Sequence, residues 1–238
     1  MSPQSKPKPP DYNEALRSLL TECSELIIPV VNEVFSQHHT GEEKVIFDEN
    51  NCRVNLEDEN NPIADIYFSL VNPGGEQEDY HIECCPHRID TFTLYNALMY
   101  KAISGGVFDD ASYSYTVKLP NSAIFNWHHD EDTPNEIIIC CAFPDSEGEA
   151  KNVVPVVKVQ NYEPKDIWQK NLLLFIPYNI LRHERNLPEY NNNDEELAKL
   201  KDEYADICHR LHKMCADGQI AKDKGRQTMR VLAYTARE

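Results

Sequence analysis

No stretch of the 238 residues offers the ~20 consecutive apolar side chains of a membrane helix. The opening MSPQSKPKPP has no apolar core of the secretory kind. Residues 1–10 are therefore expected to be a proline-rich, disordered leader, and the chain to be cytoplasmic. No C-x-x-C occurs among the eight cysteines, and the usual zinc spacings are absent. Cys84-Cys85 and Cys140-Cys141 are adjacent pairs, and neighbours on a strand point to opposite faces, so neither pair is a ready chelate. Without a secretory signal the thiols are expected to be reduced and to serve mostly as small buried hydrophobes.

Basic side chains are also scarce. The 23 Lys and Arg stand against 40 Asp and Glu, a formal charge of -17 that argues against a broad DNA-binding surface. The deficit is uneven, because the segment from Cys208 onward has seven basic and three acidic residues. If the chain touches nucleic acid, that segment is the handle. On charge alone, a solvated helical face is the better reading.

Helical spacing of Leu16, Leu19, Leu20, Cys23, Leu26 and Ile27 predicts helix over most of 11–37, kinked or broken at Pro29. Strands are expected around 45–47, in ADIYFSL and DYHIECC, and then in YSYTVKL, SAIFNW, EIIICCAF and NVVPVVKVQ. RIDTFTLYNALMYKAIS reads as a helix ending at Gly105-Gly106. EPKDIWQK opens another helix, with Pro164 in its first turn. After the NNND hinge, Leu197, Leu200, Tyr204, Ile207, Leu211 and Met214 mark a long helix that Gly218 ends. There is no internal repeat, and the order of elements predicts α/β or α+β with helices at the end.

ADIYFSL and DYHIECC, paired about a turn centred near Gly74, place Asp65 opposite Glu83, with Cβ atoms about 4.5–5.5 Å apart. Ile66, Phe68, Leu70, Tyr80, Ile82 and Cys84 then share a buried face. Asp65, Tyr67, Ser69, His81, Glu83 and Cys85 share the other. Facing carboxylates repel unless a divalent cation offsets them, and carboxylate oxygens suit Mg²⁺ or Mn²⁺. The plainer alternative is a pair of solvated acids on a hairpin.

Three segments carry a resemblance: LIIPVVNEVFSQHHTGEEKVIF (26–47), IADIYFSL…DYHIECC (63–85), and DTPNEIIICCAF…VVPVVKVQNYEPKDIWQKNLLLFIPYNILRHE (132–184). Together they resemble the PD-(D/E)XK nuclease-fold proteins of the recombination-promoting nuclease and transposase type. The third segment is the most distinctive.

The resemblance implies an α/β fold like that of restriction endonucleases, a mixed sheet flanked by helices over 11–190, with a helical C-terminal extension at 191–238. It implies metal-dependent cleavage of DNA phosphodiesters, in a recombination, mobile-element, toxin or defence setting. By position, Glu33 is the helix acid, acting directly or through water, and Asp65 and Glu83 are the strand acids. The metal they hold, Mg²⁺ or Mn²⁺, generates hydroxide and neutralises phosphate charge. The family has Lys or Gln two residues after the second strand acid. Here Cys85 stands at that catalytic position, and a thiol supplies neither the charge nor the strong donor. Arg88 or Lys101 are candidate substitutes. Pairing of two copies to cut two strands, a homodimer, is a further expectation.

The rival reading is a catalytically silent nuclease-fold module that binds DNA or a protein. A third is an acidic protein that mimics the charge of DNA. NWHHDEDTP (126–134) concentrates histidines and acids but lacks zinc-like spacing, and is expected to be a solvated loop. His38, His39 and His183 are expected at the surface or at helix ends. Cys85 with His81 or His87 as a thiol enzyme ranks below the nuclease, because no orienting group or oxyanion donor can be named. Trp127, Trp168 and LLLFIPY are expected in the core.

Overall fold

The computed structural model describes residues 10–47, 66–85, 89, 106–109, 114–117, 121–142, 149–190 and 192–236. In chain order these form α1 (Tyr12–Glu22), α2 (Ile27–Phe35), β1 (Lys44–Phe47), β2 (Ile66–Val71), β3 (Gln77–Cys85), β4 (Gly106–Asp109), β5 (Ser114–Val117), β6 (Asn121–Asn126), β7 (Glu136–Ala142) and β8 (Glu149–Lys158). Helices α3 (Pro164–Gln169), α4 (Asp194–Ala216) and α5 (Lys222–Thr235) follow, with a 3₁₀ helix over Leu173–Arg182 between the first two. The expected mixture of helix and strand is borne out. No helix among the described residues is long and apolar enough to cross a membrane.

The chain divides into two compact units, Ile28–Val159 and Met1–Ile27 with Gln160–Glu238. In the first, six strands make a mixed sheet in the order β1-β2-β3-β6-β8-β7. β1, β2 and β3 are an antiparallel meander, β3, β6 and β8 run parallel, and β7 returns antiparallel along β8. The β2–β3 turn sets the register of the meander. Pro73, Gly74 and Gly75 form a three-residue loop in which Gly75 N–H donates to Asn72 O at 2.9 Å. Gly75 adopts φ +85°, the left-handed residue that such a loop requires. Ile66 therefore pairs with Ile82 and Phe68 with Tyr80, the register expected from the sequence.

In the second unit, Asp11 caps α1 by accepting from the N–H groups of Asn13 and Glu14. The helix buries Tyr12, Ala15, Leu16, Leu19 and Leu20. Tyr12 meets Tyr178 of the 3₁₀ helix at a ring separation of 6.3 Å, and Asp11 N–H donates to Tyr234 Oη of α5. LLLFIPY is wholly buried, as expected. Asn193 caps α4, which lies in this unit with α5.

Several local expectations are corrected. The first helical stretch breaks at Cys23, not at Pro29, because Pro29 occupies the first turn of α2, where no intrahelical N–H is needed. Gly106 opens β4, which pairs with β5 in a separate two-stranded sheet; Gly105 lies outside the described residues. Trp168 is half-buried under the Arg210 guanidinium, 4.7 Å from the ring centre, and is not a core residue; Trp127 is fully buried. The helix expected over 88–104 lies outside the described residues but for Ile89.

Candidate functional site

β3 is interior to the sheet, and Tyr80 to Cys85 are buried on both of its faces. Tyr80, Ile82 and Cys84 look toward α2, whose Phe35 packs on Tyr80 at a ring separation of 5.4 Å. His81, Glu83 and Cys85 alternate onto the opposite face. There the parallel register sets His81 beside Ser122, Glu83 beside Ile124, and Cys85 beside Asn126. β8 extends the rows, with Val156 beside Ile124 and Lys158 beside Asn126.

The face of the sheet opposite α2 thus carries a buried polar centre. His81 and Asn126 are fully inaccessible, and Ser122 and Glu83 nearly so. Tyr67 leans on the His81 ring, with centroids 6.0 Å apart. His81 Nε2 lies 3.8 Å from Glu83 Oε2, within ion-pair range but beyond a hydrogen bond. The alternative of two solvated acids does not hold for Glu83. A charge so placed costs several kcal/mol (roughly) unless neighbours compensate it.

Cys85 has a different setting. It packs in an apolar wall with Ile124, Ile139, Val154 and Val156, edged by Ile89 and Ile137. It is four residues from His81 along an extended strand, a Cα separation of about 13 Å. That distance removes the Cys85–His81 thiol pair; His87 lies outside the described residues. Cys23, Cys84 and Cys85 are buried, and Cys208 and Cys215 are partly so. Burial, then the nearby Glu25, pushes the Cys23 thiol up to about 11, so it stays protonated and inert.

Among the other expected site residues, Glu33 is half-buried on α2, the helix packed against the Tyr80 face. Asp65, Arg88 and Lys101 lie outside the described residues. Among the described residues, no group of three His, Cys, Asp or Glu side chains is gathered as a metal site would require, so Glu33, His81 and Glu83 do not form one. As a hard oxygen donor Glu83 fits Mg²⁺ or Mn²⁺, and Asp65 immediately precedes β2 in sequence.

The histidine loops differ from expectation in part. His39 is tied in rather than free at the surface. Its Nε2 lies 2.8 Å from Tyr80 Oη, its Nδ1 3.5 Å from Glu43, and its backbone exchanges two hydrogen bonds with Asn32. Tyr80 Oη donates to Glu78 at 2.6 Å, and burial first, then Glu78, pushes its ionisation upward. This network fastens α2 and the following loop to β3. His128 and His129 follow β6 and are half-buried, while Asp130 is exposed and folds its loop through Thr133. His183 caps the 3₁₀ helix and meets Glu203 at 3.2 Å.

Ser122, Asn126 and Lys158 were not singled out by the sequence. They reach the Glu83 face only through pairing of strands far apart in the chain, and no local pattern announces that pairing. Comparison with protein-family models, curated proteins and solved structures found no match.

Proposed function

We propose that the chain is a metal-dependent DNA endonuclease of the PD-(D/E)XK type, slowed by the substitution at Cys85. The observation that carries this reading is Glu83, a carboxylate shut from solvent on an interior strand, in a hairpin whose register is the one expected of the two strand acids. Glu83, with Asp65 immediately before β2 in sequence, would hold Mg²⁺ or Mn²⁺, which when bound would lower the pKa of water and offset charge on the phosphate. His81 stands beside Glu83 and orients its carboxylate. Lys158 is the described cation in the Cys85 row, one strand beyond Asn126, and supplies the positive charge that the thiol lacks.

The apolar setting of Cys85 favours a second reading, a silent nuclease-fold module that binds DNA or a protein partner. Calorimetric titration with Mn²⁺ separates the two. The enzyme reading expects saturable binding that Glu83→Gln removes. A folded protein that takes up no Mn²⁺ belongs to the second reading.

A further inference from the structure

Ion pairing is frequent in the unit formed by α1, the 3₁₀ helix, α4 and α5. Lys165 meets Glu163, Arg182 meets Glu203, Lys199 meets Glu195 and Glu196, and Lys224 meets Glu25. On the exposed side of α5, away from Lys224, the pattern stops. Lys222, Arg226 and Arg230 are exposed, and among the described residues none has a carboxylate within 4.0 Å. They recur every fourth residue, about 6 Å apart along the axis, and so share one side of the helix. Asp223 is the single acid on α5.

Helix stability does not account for this stripe. Like charges four residues apart destabilise a helix, and the stripe contains two such pairs in succession. Lys222 also stands in the first turn, at the positive end of the helix dipole. The opposite side of α5 is firmly held. Gln227 donates to Ser18, Thr235 donates to the Pro177 carbonyl, and Val231 and Leu232 are buried. The cations are therefore presented by an anchored helix, on a chain whose net charge is -17.

We infer that the exposed side of α5, through Lys222, Arg226 and Arg230, contacts the phosphate backbone of DNA. A row of uncompensated cations at this spacing complements a polyanion that offers one charge per about 3.4 Å of axis on each strand. The inference rests on the DNA-directed reading above and names its contact surface. It is independent of how fast the chain cuts. Contacts of this kind carry affinity and salt dependence but no sequence preference.

The test is fluorescence anisotropy with a short labelled duplex in EDTA across a salt series, comparing the full chain with Arg226→Gln/Arg230→Gln. Glutamine keeps the helix propensity. The double variant is expected to bind at least tenfold more weakly at low salt, with the slope of log affinity against log salt smaller by about 2. Equal affinity and equal slope overturn the surface, as does a wild-type chain that ignores duplex but sediments with phosphatidylserine vesicles. Arginine-dependent binding by a chain that never cuts supports the surface and overturns the catalytic reading. Metal-dependent cutting with unchanged binding in the double variant does the reverse.

Discussion

His81 Nε2 and Glu83 Oε2 lie 3.8 Å apart, on one face of an interior strand, with both side chains closed off from water. Removing one member of such a pair leaves the other in a setting built for two. His81→Ala is expected to lower the unfolding free energy by about 2–4 kcal/mol. In a double-mutant cycle with Glu83→Ala, the two effects should fall short of additivity by about 1 kcal/mol or more. Urea unfolding of the four proteins measures this, and additive effects would show that the pair is not coupled.

Cys85 offers a separable gain and cost. On the endonuclease reading, Cys85→Gln supplies the donor that the thiol lacks and is expected to raise the cleavage rate, by up to about 10²-fold. The same change puts an amide into the wall of Ile124, Ile139, Val154 and Val156, and is expected to cost about 1–3 kcal/mol of stability. Lys158→Gln is expected to slow cleavage in the wild-type background and to matter less beside Cys85→Lys. Single-turnover cleavage with parallel urea midpoints tests all three variants. An unchanged or lower rate in folded Cys85→Gln would count against the assignment.

Glu203 ties α4 to the 3₁₀ helix and gives stability a defined pH dependence. Its carboxyl is held below its ordinary value of 4.5; the His183 hydrogen bond contributes most, burial opposes it, and Asn179 and Arg182 add to the lowering. A carboxylate whose folded value is depressed contributes stability in full above 4.5, and the contribution is lost as pH falls through the folded value. Urea midpoints should therefore decline below that point, and less steeply in Glu203→Gln. Equal slopes for the two proteins would remove Glu203 from the account.

Gly225 lets α5 approach α4, since a Cβ there would collide with Cys215 Sγ. Gly225→Ala is expected to cost about 1–3 kcal/mol despite alanine's better helix propensity. Adding Cys215→Ala, which removes the obstructing sulfur, should recover much of the loss. A Gly225→Ala protein with higher thermal stability would contradict this packing.

The β2–β3 hairpin was legible in the sequence because both of its determinants are local, the alternation of side chains and the Pro73-Gly74-Gly75 loop. Partners across β3, β6 and β8 were not, since the register that brings Asn126 and Lys158 to Cys85 depends on strands separated by more than a turn's reach. His39 looked like a surface residue because its partners, Tyr80 and Glu78, belong to another element. Trp168 misled in the opposite direction. A large aromatic ring reads as core, yet here its face serves as the platform for Arg210. The buried surroundings of Glu83 on both sides of the sheet were likewise invisible to a reading that assumed one oily face.

If the chain is the proposed endonuclease, Glu83 serves metal-dependent cutting of DNA. Supercoiled plasmid incubated with the full chain in Mg²⁺ or Mn²⁺, beside EDTA and Glu83→Gln controls, tests it most directly. Nicked and linear products that require the metal and vanish in Glu83→Gln are the predicted result. Intact plasmid in every lane, from protein with a normal far-ultraviolet spectrum, would contradict it.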